Sequence, residues 1–393
     1  MEWRKEESCC VSPLEKGEPR EEAAAEPPCC TPAALPCCPP AAQRERPGYR
    51  LWPFVERWLD TPAGPVPAVR TRLVGADRLG RWLMRWGIGR DRYRIAPGLY
   101  AVGAPDRRSP VLVTANYKMT FDALRRELGG LDAWILVLET QGINVWCAAG
   151  KGTFGTDELV RRVEDAGIER VVEHRTLVLP QLGAPGVSAH QVRRRCGFSV
   201  VYGPVRAADL RAFLAAGGKA APAMRRITFS TAERLALTPV ELTGAMRPLA
   251  WTALALFVLG GIGPGFFSFG AAWSRGAAAL GFVLVGLVAG AVLTPVALPW
   301  LPWRAFSAKG ALVGAGCALA ALWWGGGDLG ALDTVAALLA VPAVASYCAM
   351  NFTGATPFTS PSGVEREMRR ALPFQLGAVA LAGLLWVAGA FVG

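Results

Sequence analysis

From Leu249 onward the chain is written almost entirely in apolar residues, and this constrains its fold more than any other feature. Five runs, 249–269, 276–300, 310–327, 334–352 and 371–392, each come close to the ~20 residues that carry a helix across a bilayer. A backbone in hydrocarbon must satisfy its own hydrogen bonds, so runs of this length predict five membrane-spanning helices. Basic residues mark alternate connections. Arg225, Arg226 and Arg247 precede the first run, Arg304 and Lys309 lie between the second and third, and Arg366, Arg369 and Arg370 between the fourth and fifth. The other connections hold Arg275 on one and the acidic Asp328 and Asp333 on the next. The positive-inside rule then predicts a cytoplasmic N-terminal region and an external C-terminus. No secretory signal pattern opens the chain, in keeping with that orientation.

The rest of the chain divides by composition. Residues 1–48 are rich in Pro, Glu, Ala and Cys without periodicity, which predicts a disordered tail. Residues 49–230 carry the pattern of a cytoplasmic α/β domain, 231–247 a linker and 248–393 the membrane domain. Within 49–105 a Trp- and Arg-rich lead-in ends in a strand, GLYAVG. VLVTA, AWILVLE, TLVLP and FSVVY then alternate with helical segments: one from near Thr120 to Leu128, one at 156–168 capped by Thr156 and stopped by Gly167, one capped by Ser188, and ADLRAFLAAGG. Such alternation predicts a Rossmann-like parallel sheet with helices on its faces. The net charge of +11 is spread through helices that also carry acidic residues. A surface near an anionic leaflet accounts for it, and no nucleic-acid partner is expected.

Ligands of such sheets sit beyond the strand C-termini. The turns there are polar or glycine-bearing: TANYKMT, QGINVWCAAGKGTFGT, QLGAPG and YGPV. Together they form either a broad ligand platform or four ordinary connections. The second holds Cys147, which is either a packed core residue or a ligand. Three more cysteine pairs, Cys9–Cys10, Cys29–Cys30 and Cys37–Cys38, punctuate the tail. They lack the spacing of an iron–sulfur site. Paired soft thiols suit capture of a soft ion such as Hg(II), or are an ornament of this sequence.

The octapeptide NVWCAAGK (144–151), with KGTFGT after it and HRTLVLPQLGAPGVSAHQV downstream, resembles the HgcA family, the corrinoid protein of bacterial mercury methylation. The resemblance runs from about Leu79 to the C-terminus and leaves the tail out. It implies a corrinoid-binding domain, similar to that of the corrinoid iron–sulfur protein of acetyl-CoA synthesis, on a five-span membrane domain in a bacterial or archaeal cytoplasmic membrane. It implies a methyltransferase that passes a methyl group from methyl-cobalt(III) to Hg(II). It assigns Cys147 as the lower axial ligand to the cobalt of a cobalamin-type cofactor, and Asn144, Val145, Trp146, Ala148, Ala149, Gly150 and Lys151 to the helix that presents it. Thr153, Gln181 and Gly183, in the accompanying stretches, join the expected cofactor contacts. A thiolate suits a polarizable metal, and axial-ligand identity is a lever on a macrocyclic metal. Asn144 is a plausible helix cap, the small residues after Cys147 would let backbone approach the macrocycle, and Lys151 balances charge or is simply exposed.

The chain carries no D-x-H-x-x-G motif, and its two histidines are His174 and His190; His174 reads as a packing or surface residue. The chain carries no iron–sulfur motif either, so the resemblance implies a separate ferredoxin-like partner with two [4Fe–4S] clusters and a methyltetrahydrofolate-linked donor, with membrane lipid around the anchor. Two alternatives stay open: a corrinoid methyl carrier of one-carbon metabolism, and a non-enzymatic membrane sensor or transporter with an α/β regulatory domain. The latter needs ionisable residues within the spans, and the apolar runs as drawn hold none.

Overall fold

The computed structural model describes residues 53–325, 329–356 and 361–392. The tail cysteines Cys9, Cys10, Cys29, Cys30, Cys37 and Cys38, and Asp328, lie outside the described residues. Between Val55 and Ala215 the alternating pattern folds into a seven-stranded mixed sheet with helices on both faces. The strands are β1 (Val55–Thr61), β2 (Gly64–Val69), β3 (Gly98–Val102), β4 (Val111–Ala115), β5 (Ala133–Leu138), β6 (Thr176–Leu179) and β7 (Ser199–Tyr202), in spatial order β1-β2-β3-β5-β4-β6-β7. Strands β5, β4, β6 and β7 are parallel neighbours, and they are the four runs read from the sequence. Helix α1 (Gly75–Arg85) precedes β3, α2 (Lys118–Glu127) links β4 to β5, and α3 (Val145–Lys151) and α4 (Thr156–Asp165) link β5 to β6. Helix α5 (Ala189–Cys196) links β6 to β7, and α6 (Leu210–Ala215) follows β7.

The lead-in does more than end in a strand. β1 and β2 form an antiparallel hairpin, and β3 joins β5 antiparallel. β1 escapes notice in the sequence because it is an edge strand, VERWLDT, with Glu56, Arg57 and Asp60 on its exposed positions; charges on an edge keep it from pairing with another chain. The strand pleat sorts the core into two layers. Val111, Val113 and Ala115 of β4 and Trp134, Leu136 and Leu138 of β5 face α3, α4 and α5. Leu112, Ala133, Ile135 and Val137 face Phe121 of α2 and Phe213 of α6. β5 is buried on both faces along its whole length, as a central strand must be.

Local boundaries differ at two points. α2 begins at Lys118, two residues before Thr120. Gly155, not Thr156, is the cap of α4; the Thr156 hydroxyl instead accepts the Ser188 N–H at 2.9 Å and ties α4 to the start of α5. Gly167 follows α4 in the left-handed region, at φ +56°, where a glycine stop belongs.

Beyond Ser230 the chain is largely helical. Helices α7 (Thr238–Gly261), α8 (Phe269–Val288), α9 (Phe306–Gly325), α10 (Ala331–Asn351) and α11 (Pro361–Val392) give five segments long and apolar enough to cross a membrane. The first predicted run, 249–269, is interrupted: α7 stops at Gly261, and a small hairpin pairing Ile262–Gly263 with Phe266–Phe267 turns the chain into α8. The 231–247 segment is itself mostly helical, with Pro239 in the first turn of α7, where its missing N–H has no partner to lose. α9 and α10 pack closely through Gly310 and Gly314. A Cβ on Gly310 would stand 2.5 Å from the Ala345 carbonyl oxygen, and one on Gly314 would stand 2.7 Å from Ala345 Cβ. Small residues four apart are what close helix contact in lipid requires.

The connections were expected to hold Arg275 and Asp333; both lie inside helices. Arg275 of α8 reaches Asp333 of α10 with two hydrogen bonds of 3.1 Å and donates to the Trp386 carbonyl of α11. The runs as drawn stay free of charge, but the helices extend past them and carry an ionic pair one residue outside each. Its charges neutralise each other, which is how a charge is tolerated within a bundle.

Candidate functional site

The site is built where β4 and β5 end. Asn116, fully buried after β4, has its side-chain oxygen accept the Thr140 N–H at 3.1 Å, the Thr140 hydroxyl at 2.8 Å and the Gly142 N–H at 2.9 Å. Its amide donates to Glu139 at 2.9 Å. This one side chain holds the turn that leads from β5 to α3, including Gln141 at φ +57°, a conformation that needs such external support in a non-glycine residue.

Out of that turn Asn144 caps α3: its side-chain oxygen accepts the Cys147 N–H at 2.9 Å. Gly152 closes the helix at φ +81°, where glycine carries no Cβ penalty. Cys147 is half-buried with a free thiol in the first turn. Val145, Ala148 and Ala149 sit in the core, while Gly150 and Lys151 are exposed. The smallness of Ala148 and Ala149 has a reason inside the protein. Phe154 is fully buried in the same core layer and its N–H returns to the Ala148 carbonyl at 3.1 Å; a Cβ on Gly186 would stand 3.1 Å from Ala149 Cα.

Beside this helix lies a cavity of about 480 Å³ whose wall includes all four strand-end turns. Tyr117, Met119 and Thr120 come from the first, Asn144, Val145 and Trp146 from the second, Pro180 and Leu182 from the third, and Gly203 to Ala207 from the fourth. Three expected contacts, Asn144, Val145 and Trp146, line it; Cys147, the next residue of the same helix, does not, nor do Ala148, Ala149, Gly150 and Lys151. Thr153, Gln181 and Gly183 do not line it. The Thr153 hydroxyl points to the Ala148 carbonyl, the Gln181 side-chain oxygen accepts from Arg225 at 2.7 Å, and Gly183 gives room to the Phe154 ring, which a Cβ would meet at 2.5 Å. His174 and His190 also lie away from it. The ring of His174 bridges Ser109 and Thr176, and His190 bonds Ser188. Among the described residues no group of three or more His, Cys, Asp and Glu could hold a metal ion.

Two further wall residues, Arg81 and Arg85 of α1, come from the lead-in. Burial, and then the neighbouring cations Arg126 and Arg85, lower the pKa of Arg81 from its ordinary value. Burial raises that of Tyr117, which stays a phenol. α1 is held in place by a closed ring of charges. Lys118 Nζ reaches Asp77 at 2.8 Å and Asp122 at 2.7 Å, and Arg125 reaches Asp77 at 2.9 Å and Asp122 at 2.8 Å. All four are buried. Burial by itself raises the Asp77 carboxyl, but hydrogen bonds from Lys118, the Val74 amide and Arg125 bring it down to about 2. Sequence reading passed over Arg81, Arg85 and Asn116. Asn116 stood in the TANYKMT turn, and an asparagine at a strand end was the available signal.

Apart from Arg81 and Arg85, the cavity wall falls within the part of the chain that matches known proteins. Residues 90–213 match the family described as the CO dehydrogenase/acetyl-CoA synthase delta subunit. The chain is also similar to the gamma subunits of acetyl-CoA decarbonylase/synthase complexes: 35% identical over 127 residues to that of Methanopyrus kandleri, 32% over 127 to that of Archaeoglobus fulgidus and 30% over 122 to that of Methanocaldococcus jannaschii. These alignments take in 32%, 32% and 30% of this chain and 27%, 27% and 25% of the relatives, so the chain spans about a quarter of the length of the curated relatives it matches. The matched stretch runs from the end of the lead-in to α6 and leaves out the five apolar helices, so its likeness is to proteins of the acetyl-CoA synthase and decarbonylase complexes.

Proposed function

We propose that this chain is a membrane-anchored, corrinoid-dependent methyltransferase that methylates Hg(II), with Cys147 as the residue that would hold the cobalt. The observation that carries the reading is the convergence of four strand-end turns on one cavity beside an Asn144-capped helix bearing a free thiol. The likeness to acetyl-CoA decarbonylase/synthase subunits supports the coarser part, a corrinoid protein that moves methyl groups, and agrees with the sequence resemblance to the corrinoid iron–sulfur protein. The finer part, Hg(II) as acceptor, rests on NVWCAAGK.

The wall chemistry fits the cofactor. Val145, Leu124, Val178 and Leu182 offer apolar surface to a macrocycle face, while Asn144, Thr120, Arg81 and Arg85 offer donors to its polar periphery. When bound, the corrinoid supplies the cobalt chemistry that carries a methyl group to Hg(II). The chain's own residues set the geometry. Asn144 takes up the Cys147 N–H and so fixes where the thiol stands on α3. Asn116 holds the preceding turn. Electrons and methyl groups come from outside, in this reading from a ferredoxin-like protein with two [4Fe–4S] clusters and a methyltetrahydrofolate-linked donor. The five helices hold the N-terminal domain at the cytoplasmic face.

Purified full-length protein should carry a corrinoid whose visible spectrum changes in Cys147→Ala, and cells bearing that variant should make no methylmercury. A corrinoid-free protein would sink the whole reading. A corrinoid-loaded protein that supports acetyl-CoA formation but not Hg(II) methylation would move it to one-carbon metabolism.

A further inference from the structure

The membrane domain has a cavity of its own. It measures about 1150 Å³ and lies among the start of the 231–261 helical segment, the 298–309 connection and the first turns of α11. Five cations line it, Arg234, Arg304, Lys309, Arg366 and Arg370, against one carboxylate, Glu367. That carboxylate is already engaged by the Ser307 N–H at 2.6 Å. Lys309 donates to the Leu298 carbonyl at 2.9 Å. Arg234 is 4% exposed; its terminal nitrogens donate to the Phe229 and Val296 carbonyls and the Thr231 hydroxyl, and its Nε has no partner. Arg304, Arg366 and Arg370 form no ion pair among the described residues. The rest of the wall is apolar, with Leu298, Phe306 and the exposed Trp303 and Phe374. A concave surface so rich in positive charge is completed by an anion, and clustered guanidinium groups suit phosphate oxygens above all.

The depth of the cavity names the source. α11 has 32 residues, roughly 48 Å at about 1.5 Å per residue, against a hydrocarbon core of ~30 Å. Its far end is level with the starts of α8 and α10, because the Trp386 carbonyl meets Arg275 and Gly389 packs on Asp333. The excess length is therefore at its N-terminus, where Arg366 and Arg370 stand at headgroup depth. Basic residues there, beside aromatic rings, match a phosphate with acyl chains attached. We infer that this cavity binds the phosphate of an anionic phospholipid. The inference rests on membrane insertion of the five helices and is independent of what the Cys147 site does.

The test uses the delipidated full chain in neutral detergent, with phosphatidylglycerol, phosphatidylcholine or inorganic phosphate added and adducts read by native mass spectrometry. Phosphatidylglycerol should be retained in preference to phosphatidylcholine and should survive an excess of inorganic phosphate. The double variant Arg304→Gln/Arg370→Gln should weaken its retention about tenfold or more, while Arg369→Gln, an exposed residue paired with Glu365, should not. Equal retention of the two lipids, displacement by inorganic phosphate, or unchanged retention in the double variant would overturn the inference. So would equal weakening by Arg369→Gln, since net charge alone would then be at work. Circular dichroism of each variant separates a lost site from a lost fold.

Discussion

The side-chain oxygen of Asn144 holds the backbone N–H of Cys147 at 2.9 Å, so the thiol's position on α3 depends on one hydrogen bond three residues away. Replacing an N-cap asparagine by alanine costs about 1 kcal/mol, and in a helix of 7 residues that loss loosens the whole element. Asn144→Ala should lower the melting temperature slightly and raise the rate at which iodoacetamide alkylates Cys147. Asn144→Asp, which keeps a capping oxygen, should restore both. An alkylation rate equal to that of the parent in Asn144→Ala would show that the cap does not hold the thiol.

Asn116 acts one step further back. Asn116→Ala leaves the Thr140 and Gly142 amides without their acceptor; leaving a buried donor unmade costs about 1–3 kcal/mol. Hydrogen exchange at 140–144 should accelerate well above the change seen in β6 and β7. A uniform acceleration across the sheet would mean that Asn116 supports the fold and not the turn.

The charge ring makes the domain sensitive to acid in a defined window. Asp77 sits at about 2 in the folded protein, against about 3.9 for an unfolded aspartate. The folded pKa is depressed, so the stability Asp77 contributes is complete above about 4 and is lost as pH falls through 2. Urea midpoints should therefore drop between these values, and less steeply in Asp77→Asn. That variant should already be about 3–5 kcal/mol less stable at neutral pH, because Lys118 and Arg125 are left buried with half their counter-charge.

Gly314 has no room for a side chain against α10. Gly314→Val should push α9 and α10 apart and lower the temperature at which the detergent-solubilised protein aggregates, while Gly316→Ala, where a Cβ meets nothing within 4 Å, should leave it unchanged. Equal effects from the two would place the small-residue contact elsewhere.

What could be read from the residues follows burial. β4 and β5 announce themselves because both faces are covered, which leaves continuous apolar runs; the Cys147 helix came from the resemblance with Asn144 as its cap, and Gly152, which closes it, was passed over. β1 was hidden because an exposed edge strand carries charges where an inner strand carries valine. Arg81 and Arg85 were hidden for another reason. They reach the cavity only because Asp77, on the same helix, is held by Lys118 and Arg125 across 41 and 48 residues of sequence, and no local pattern encodes that distance. Arg275 looked like a loop residue because its partner Asp333 lies 58 residues on.

That last separation bears on how the protein is made. The second apolar helix leaves the ribosome with a guanidinium whose carboxylate partner is still 58 residues from synthesis, and whose Trp386 carbonyl acceptor is 111 residues away. Until the fourth and fifth helices arrive, Arg275 has to wait near water or in the translocon. In a bilayer, a chain cut before α10 would hold Arg275 without its carboxylate partner, so the helices complete one another only as a set.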